Sequence, residues 1–164
     1  MTFDLSLYLV LDPDLCRDHS MIETTLAAIR GGASMVQLRD KNARTEDMIR
    51  TGRALGAGKI LGLSVETEAA MRAVDPAIVD YVGVGPVFAT ATKPGHKPAI
   101  GLDGLKHLVG LSPLPSVAIG GLKAEHASAV SAAGAQGMAV VSAICGQPDP
   151  EAATRRLASE IWAA

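Results

Sequence analysis

The stretches Gly-Ala-Ser-Met-Val-Gln (32–37) and Gly-Ala-Gln-Gly-Met-Ala-Val-Val (134–141) read as one unit used twice: a helix end, a Gly-Ala stop and a short apolar strand. Working outward, the same alternation runs along the chain. Strands are expected near Leu5–Asp12, Met35–Arg39, Ile60–Val65, Tyr81–Val84, Ser116–Ile119 and Met138–Ser142. Helices are expected over Ser20–Arg30, Thr45–Leu55, Glu66–Val74, Leu102–Leu111, Ala124–Ala133 and Asp149–Trp162. Gly31-Gly32 and Gly134 stand where left-handed caps end helices, and Asp149-Pro150-Glu151 reads as an N-cap followed by proline at the first helical position. The strands are apolar on both sides, which suits parallel strands covered by helices. Repeated β-α units mean either a (β/α)8 barrel or an open doubly wound sheet. No linker or low-complexity segment divides residues 1–164, so a single domain is expected.

Composition narrows the function classes. The 164 residues carry 15 Lys+Arg against 17 Asp+Glu, a balance without the clustered positive field of a nucleic-acid or polybasic membrane binder. Hydrophobic residues make up 48% but aromatics only 3%, so Ala, Val, Leu and Ile must fill the core. No apolar run approaches the ~20 residues of a membrane span. No signal-peptide pattern occupies 1–20, and a cytoplasmic protein is expected. Cys16 and Cys145 form neither a disulfide framework nor a zinc spacing, and Cys145 reads as a small buried side chain. His19, His96, His107 and His126 share no metal-binding spacing.

Both candidate architectures put function on the loops after the strands' carboxyl ends. Gln37, Arg39 and Lys41 alternate along one such end, and two cations with an amide suit a phosphate or pyrophosphate. The plain alternative is a charge cluster with Asp40 as its partner. Thr90, Thr92 and Lys93 fall on the loop 85–101, longer than an ordinary connection, where a binding loop competes with a merely solvated one. Ile119-Gly120-Gly121 and Val141-Ser142 end the last two strands. Paired glycines allow backbone N–H groups to approach an anion, although Gly-Gly can also be only a turn.

These strings together resemble the thiamine-phosphate synthase family. The resemblance rests on Leu7-Tyr8-Leu9-Val10-Leu11-Asp12, Val36-Gln37-Leu38-Arg39-Asp40-Lys41, Ile60-Leu61-Gly62-Leu63-Ser64-Val65, Val117-Ala118-Ile119-Gly120-Gly121 and Val140-Val141-Ser142-Ala143-Ile144. Its most specific part is Gly85-Pro86-Val87-Phe88-Ala89-Thr90-Ala91-Thr92-Lys93. The resemblance implies a (β/α)8 barrel in which an aminopyrimidine diphosphate joins a thiazole phosphate, giving thiamine phosphate and pyrophosphate. By position, Gln37, Leu38, Arg39, Asp40 and Lys41 would hold the pyrimidine diphosphate. Ser64 would contact the departing pyrophosphate, and Lys93 would neutralise its charge. Thr90, Ala91, Thr92, Gly121, Val141 and Ser142 would cradle the thiazole phosphate. Arg39, Ser64 and Lys93 are the implied catalytic residues. The partners implied are these small molecules, with Mg²⁺ as the family's ion and a homo-oligomer left open.

One departure follows from the same resemblance. Between Thr45–Leu55 and the strand ending at Val65 the family carries two further β-α units, and here only Gly56-Ala57-Gly58 intervenes. Six strands are therefore expected, with about 50 residues fewer than the full barrel at ~25 per unit. The absent stretch holds the family's Asn-Asp motif and second aspartate, so no metal ligand is assigned, and the 164-residue chain alone is expected neither to bind Mg²⁺ productively nor to make thiamine phosphate. Gly56–Gly58 should lie beside a gap or join strands that are not barrel neighbours. Two other readings are a thiazole tautomerase-like protein, which usually has histidine where Glu66 stands, and a non-catalytic thiazole-phosphate-binding protein.

Overall fold

The structure, a computed structural model, describes residues 3–16, 18–39, 60, 62–90 and 98–163. Strands β1 (Leu7–Leu11), β2 (Met35–Leu38), β3 (Gly62–Val65), β4 (Tyr81–Val84), β5 (Ser116–Ile119) and β6 (Gly137–Val140) alternate with helices. The helices are α1 (Met21–Gly31), α2 (Glu68–Arg72), α3 (Gly101–Leu111), α4 (Ala127–Ala132) and α5 (Pro150–Ala163). Each expected strand and helix in the described residues is present; β4 and β5 keep their expected bounds, α3 starts one residue early, and the others are trimmed at one or both ends. Side-chain caps set several of those ends. Ser20 and Glu23 form a reciprocal capping box on α1, and the Thr67 hydroxyl accepts from Ala70 N–H, so α2 starts two residues after Glu66. Asp149 accepts from Ala152 N–H at 2.9 Å ahead of Pro150, as the sequence suggests. The expected Ala124–Ala133 helix opens as a 3₁₀ turn over Ala124–His126. The helix expected over Thr45–Leu55 lies outside the described residues.

All six strands are parallel, in the order β2-β1-β6-β5-β4-β3. In β1, Leu7, Leu9 and Leu11 enter the large core under the helices, while Tyr8 and Val10 enter a smaller cluster on the opposite face. That period of two, with both faces buried, explains the uninterrupted apolar run.

The smaller cluster shows that the sheet is curled. On a flat sheet β1 and β4, with β6 and β5 between them, would stand about 14 Å apart at ~4.8 Å per step. Side chains perpendicular to a flat sheet would stay that far apart. Yet the Tyr8 and Tyr81 hydroxyls are 2.6 Å apart and their rings are edge to face at 5.9 Å between centroids. Phe3 adds a second edge contact to Tyr81. Helices cover the convex side and these rings fill the concave one, giving a partial (β/α) barrel.

The opening of that barrel falls between β2 and β3. These strands are consecutive in the described chain but occupy opposite edges of the sheet, and no ladder joins them among the described residues. Gly56–Gly58 themselves lie outside the described residues, but the strands on either side are not neighbours, as expected.

Burial pushes the Tyr8 phenol far above its ordinary range, with the Tyr81 hydroxyl adding to the rise, so the pair stays neutral at all ordinary pH values. Tyr8→Phe keeps the ring and removes one side of the hydrogen bond. It should cost about 1 kcal/mol in urea unfolding, whereas Tyr8→Ala should cost about 3–5 kcal/mol. Equal losses in the two variants would contradict a ring-filled concave face.

Candidate active site

A cavity of about 520 Å³ opens at the carboxyl ends of the strands. Val10, Ile119 and Ala139 form part of its apolar floor, as the upper continuation of the concave cluster. Its polar rim comes from both halves of the curled sheet. Gln37 and Arg39 enter from the end of β2, Ser64 and Glu66 from β3, Thr90 from the loop after β4, Gly120, Gly121 and Lys123 from after β5, and Val141 and Ser142 from after β6. Strand alternation decides which residues point inward. Gln37 and Arg39 line the cavity, whereas Leu38 between them packs on the helix-side core.

Arg39 is set by the neighbouring strand. Its backbone N–H donates to Leu11 carbonyl at 2.9 Å, continuing the β1–β2 ladder by one step. Its guanidinium donates through Nη1 to the Asp12 carboxylate, which is buried and also accepts from Asp14 N–H at 3.1 Å. A cation fixed on a buried carboxylate loses less side-chain entropy when an anion binds.

On the far side, Gly120 and Gly121 adopt φ of +100° and +65°, a left-handed pair that β-carbons disfavour. They let the loop after β4 lie directly on the β5 end. Val87 N–H donates to Ile119 carbonyl at 2.9 Å and Phe88 N–H to Gly120 carbonyl at 3.0 Å. A Cβ at Gly121 would stand 2.7 Å from the Ala89 carbonyl oxygen, and one at Gly120 would stand 2.7 Å from Pro86. These glycines are thus required first by the loop packing that brings Thr90 to the rim. The turn after β6 is held separately: Gln147 Nε2 donates to the Ser142 carbonyl at 2.8 Å.

The site therefore gathers Gln37, Arg39, Ser64, Thr90, Gly121, Val141 and Ser142 around one cavity. Asp40, Lys41, Ala91, Thr92 and Lys93 lie outside the described residues. Lys123 and Gln147 are rim residues that the sequence reading does not single out. Lys123 follows the Gly120-Gly121 turn by two residues, which is the signal that could have found it. Gln147 sits beyond any strand end, on a turn with no sequence signature. Among the described residues no cluster of three His, Cys, Asp or Glu side chains could hold a metal ion. The described rim offers the carboxylate of Glu66, and that of Asp12 is turned to Arg39. This set does not fit a hard divalent cation, which takes several oxygen ligands.

Gly83 gives a clean test of the cavity, because a Cβ there would meet nothing within 4 Å. Gly83→Val puts its Cβ into open cavity space, and a β-branched residue suits a strand. The thermal midpoint should stay unchanged while affinity for inorganic pyrophosphate, measured by calorimetry, falls by about tenfold or more. Unchanged affinity would place the anion elsewhere.

Comparison with known proteins agrees with this geometry. A family model described as thiamine monophosphate synthase matches residues 7–57 and 48–144. Among curated relatives, the thiamine-phosphate synthase of Psychrobacter sp. is 40% identical, covering 95% of this chain and 95% of its own. That of Azorhizobium caulinodans is 38% identical over 94% of each. Among solved structures, thiamine phosphate pyrophosphorylase from Pyrococcus furiosus superposes with a TM-score of 0.81 at 26% identity, covering 97% of this chain and 96% of that one. The Psychrobacter alignment runs over 202 positions, whereas 95% of 164 residues is about 156, so about 46 positions there face no residue of this chain. The family model likewise matches in two pieces that meet at 48–57. In sequence, 48–57 falls between β2 and β3, and the chain belongs to the thiamine monophosphate synthase family.

Proposed function

We propose, against the expectation drawn from the missing β-α units that this chain makes no thiamine phosphate, that the whole chain forms one catalytic unit that joins 4-amino-2-methyl-5-hydroxymethylpyrimidine diphosphate to a thiazole phosphate, giving thiamine phosphate and pyrophosphate. The observation that carries this reading is that two features suited to anions, from opposite halves of the curled sheet, line one cavity. Arg39, steadied by Asp12, stands at the β2 end, and the Gly120-Gly121 turn with Thr90 stands at the β4–β5 side. A reaction between two phosphorylated substrates needs two such features, separated but open to each other.

In this reading Gln37 and Arg39 hold the diphosphate, and Ser64 faces it from β3. The charge that grows on the leaving diphosphate as its bond to carbon breaks is met by the fixed Arg39 guanidinium. Lys93, outside the described residues, is assigned to the same charge. A cation already in position stabilises that charge without reorganising, which is why such contacts dominate many rate enhancements. Thr90, Gly121 and the Val141–Ser142 backbone hold the thiazole phosphate, with Lys123 as a further cation at the rim. The apolar floor of Val10, Ile119 and Ala139 suits two aromatic rings and keeps water from the reacting carbon. Mg²⁺ belongs to the family's chemistry, but the described residues do not form its site, and no step here runs through it. The setting belongs to the same proposal: small-molecule substrates in the cytoplasm, with no helix among the described residues long and apolar enough to cross a membrane.

The open β2–β3 side and the missing carboxylates favour one second reading, a protein that binds thiazole phosphate without turnover. Pyrophosphate release separates the two. With both substrates and Mg²⁺, the synthase reading predicts release of one pyrophosphate per thiamine phosphate formed. Arg39→Ala should then reduce turnover by about 10²–10³. Saturable thiazole phosphate binding with no pyrophosphate released would establish the second reading and overturn the first.

A further inference from the structure

The mechanism above uses neither cysteine, and the structure brings the two together across 129 residues of sequence. Cys16 closes the 3₁₀ turn Pro13–Leu15 after β1, and Cys145 lies on the turn after β6. Their Sγ atoms are 3.9 Å apart. We propose that Cys16 and Cys145 are a redox-modification site, a thiol pair that a peroxide converts into an intramolecular disulfide stapling the loop after β1 to the loop after β6. This inference is independent of the transferase reading.

Three observations support it. First, both backbones are already fixed. Cys16 N–H donates to Pro13 carbonyl at 3.2 Å and Cys145 N–H to Val141 carbonyl at 2.9 Å, so neither cysteine must be recruited from a wandering segment. Second, the loops are in contact beyond the sulfurs: at Gly146, with φ of +74°, a Cβ would stand 2.8 Å from the Leu15 carbonyl oxygen. The two turns pack directly on one another, and the sulfurs must close by roughly 2 Å from the present contact to form an S–S bond. Third, the sulfurs differ in access. Cys16 is half-buried, whereas Cys145 is 2% exposed and its Sγ lies 3.8 Å from the Val10 carbonyl oxygen, to which its S–H is directed. Burial holds the Cys145 thiol above its ordinary range, so it keeps its proton until it reacts.

The order of events follows from that difference. The Cys16 sulfur attacks one oxygen of hydrogen peroxide, the O–O bond breaks, and one water leaves, giving Cys16 sulfenic acid. The Cys145 sulfur, which accepts the Cys16 contact in the reduced protein, then attacks the Cys16 sulfur. The S–O bond breaks, the S–S bond forms, and the Cys145 proton departs with the hydroxyl as a second water. Two thiols are oxidised by two electrons and one peroxide is reduced to two waters. A dithiol reductant reverses the bridge by exchange.

The oxidised bridge joins the loop carrying Asp12, the partner of the cavity residue Arg39, to the loop from which Ser142 and Gln147 line the cavity. It closes a long loop in the unfolded chain, the case in which a crosslink restricts the unfolded state most.

The test is made on the full 164-residue protein, treated with hydrogen peroxide and then analysed by intact mass and peptide mapping. The expected result is loss of two hydrogens, a crosslinked Cys16–Cys145 peptide, and full reversal by dithiothreitol. The thermal midpoint of the oxidised protein should rise by about 5–15 °C, and this rise should disappear on reduction. In Cys145→Ser, where no partner remains, Cys16 should be captured by dimedone as the sulfenic acid. Oxidation of Cys16 to sulfinic acid with Cys145 left as a thiol would overturn the proposal. So would disulfide-linked dimers, or a bridge that forms only in urea.

Discussion

The contact between Tyr8 and Tyr81 across the concave face is the constraint on which the site depends. Laid flat, the six strands would hold the β2 and β3 ends about 24 Å apart, too far for one small cavity. Curling brings Gln37 and Arg39 within the same cavity as Ser64 and Glu66, and both within reach of the β5 and β6 ends. The rings of Tyr8, Tyr81 and Phe3 fill the space that this curvature encloses below the cavity. A chain with 3% aromatic residues thus places three of its five aromatic side chains where the curvature must be supported.

The curvature survives although the barrel is open. Parallel strands β1, β6, β5 and β4 form an unbroken arc, and the residues that define the glycine cradle all come from that arc. Of the described cavity residues, only Gln37, Arg39, Ser64 and Glu66 come from the ends of the edge strands. The two halves of the proposed chemistry are therefore unequally exposed to the internal shortening. The thiazole phosphate side rests on central strands and on backbone hydrogen bonds between the loop after β4 and the β5 end. The diphosphate side rests on edges, with the Asp12–Arg39 pair as its firmest described anchor.

Much of this was legible in the sequence for a physical reason. Parallel strands buried on both faces leave continuous apolar runs, and strand ends mark where polar residues collect. Leu7–Leu11, Tyr81–Val84 and Ser116–Ile119 are clear on that basis, as are Gln37 and Arg39 by alternation. Alternation also argues against Leu38 as an inward-facing residue, and the structure turns its side chain to the core. What was not legible depends on distance in space. Nothing in the spacing of Cys16 and Cys145 announces their contact, because it is made by two turns at opposite ends of the chain. The role of Gly121 is similar. Its neighbours suggest room for a phosphate, whereas its Cβ position is blocked by Phe88 and Ala89, and only the folded loop reveals that. Lys123 has no periodicity to mark it, and only its place two residues after the Gly120-Gly121 turn points to the rim.

In the proposed reading the thiazole phosphate is held by the unbroken arc alone and needs neither the missing β-α units nor a metal ion. Calorimetric titration of the thiazole phosphate into the 164-residue protein, in buffer containing a metal chelator, tests this most directly. Saturable binding at one site per chain, unchanged when Mg²⁺ is restored, is the expected result. Absence of binding, or binding that appears only with Mg²⁺, would contradict it.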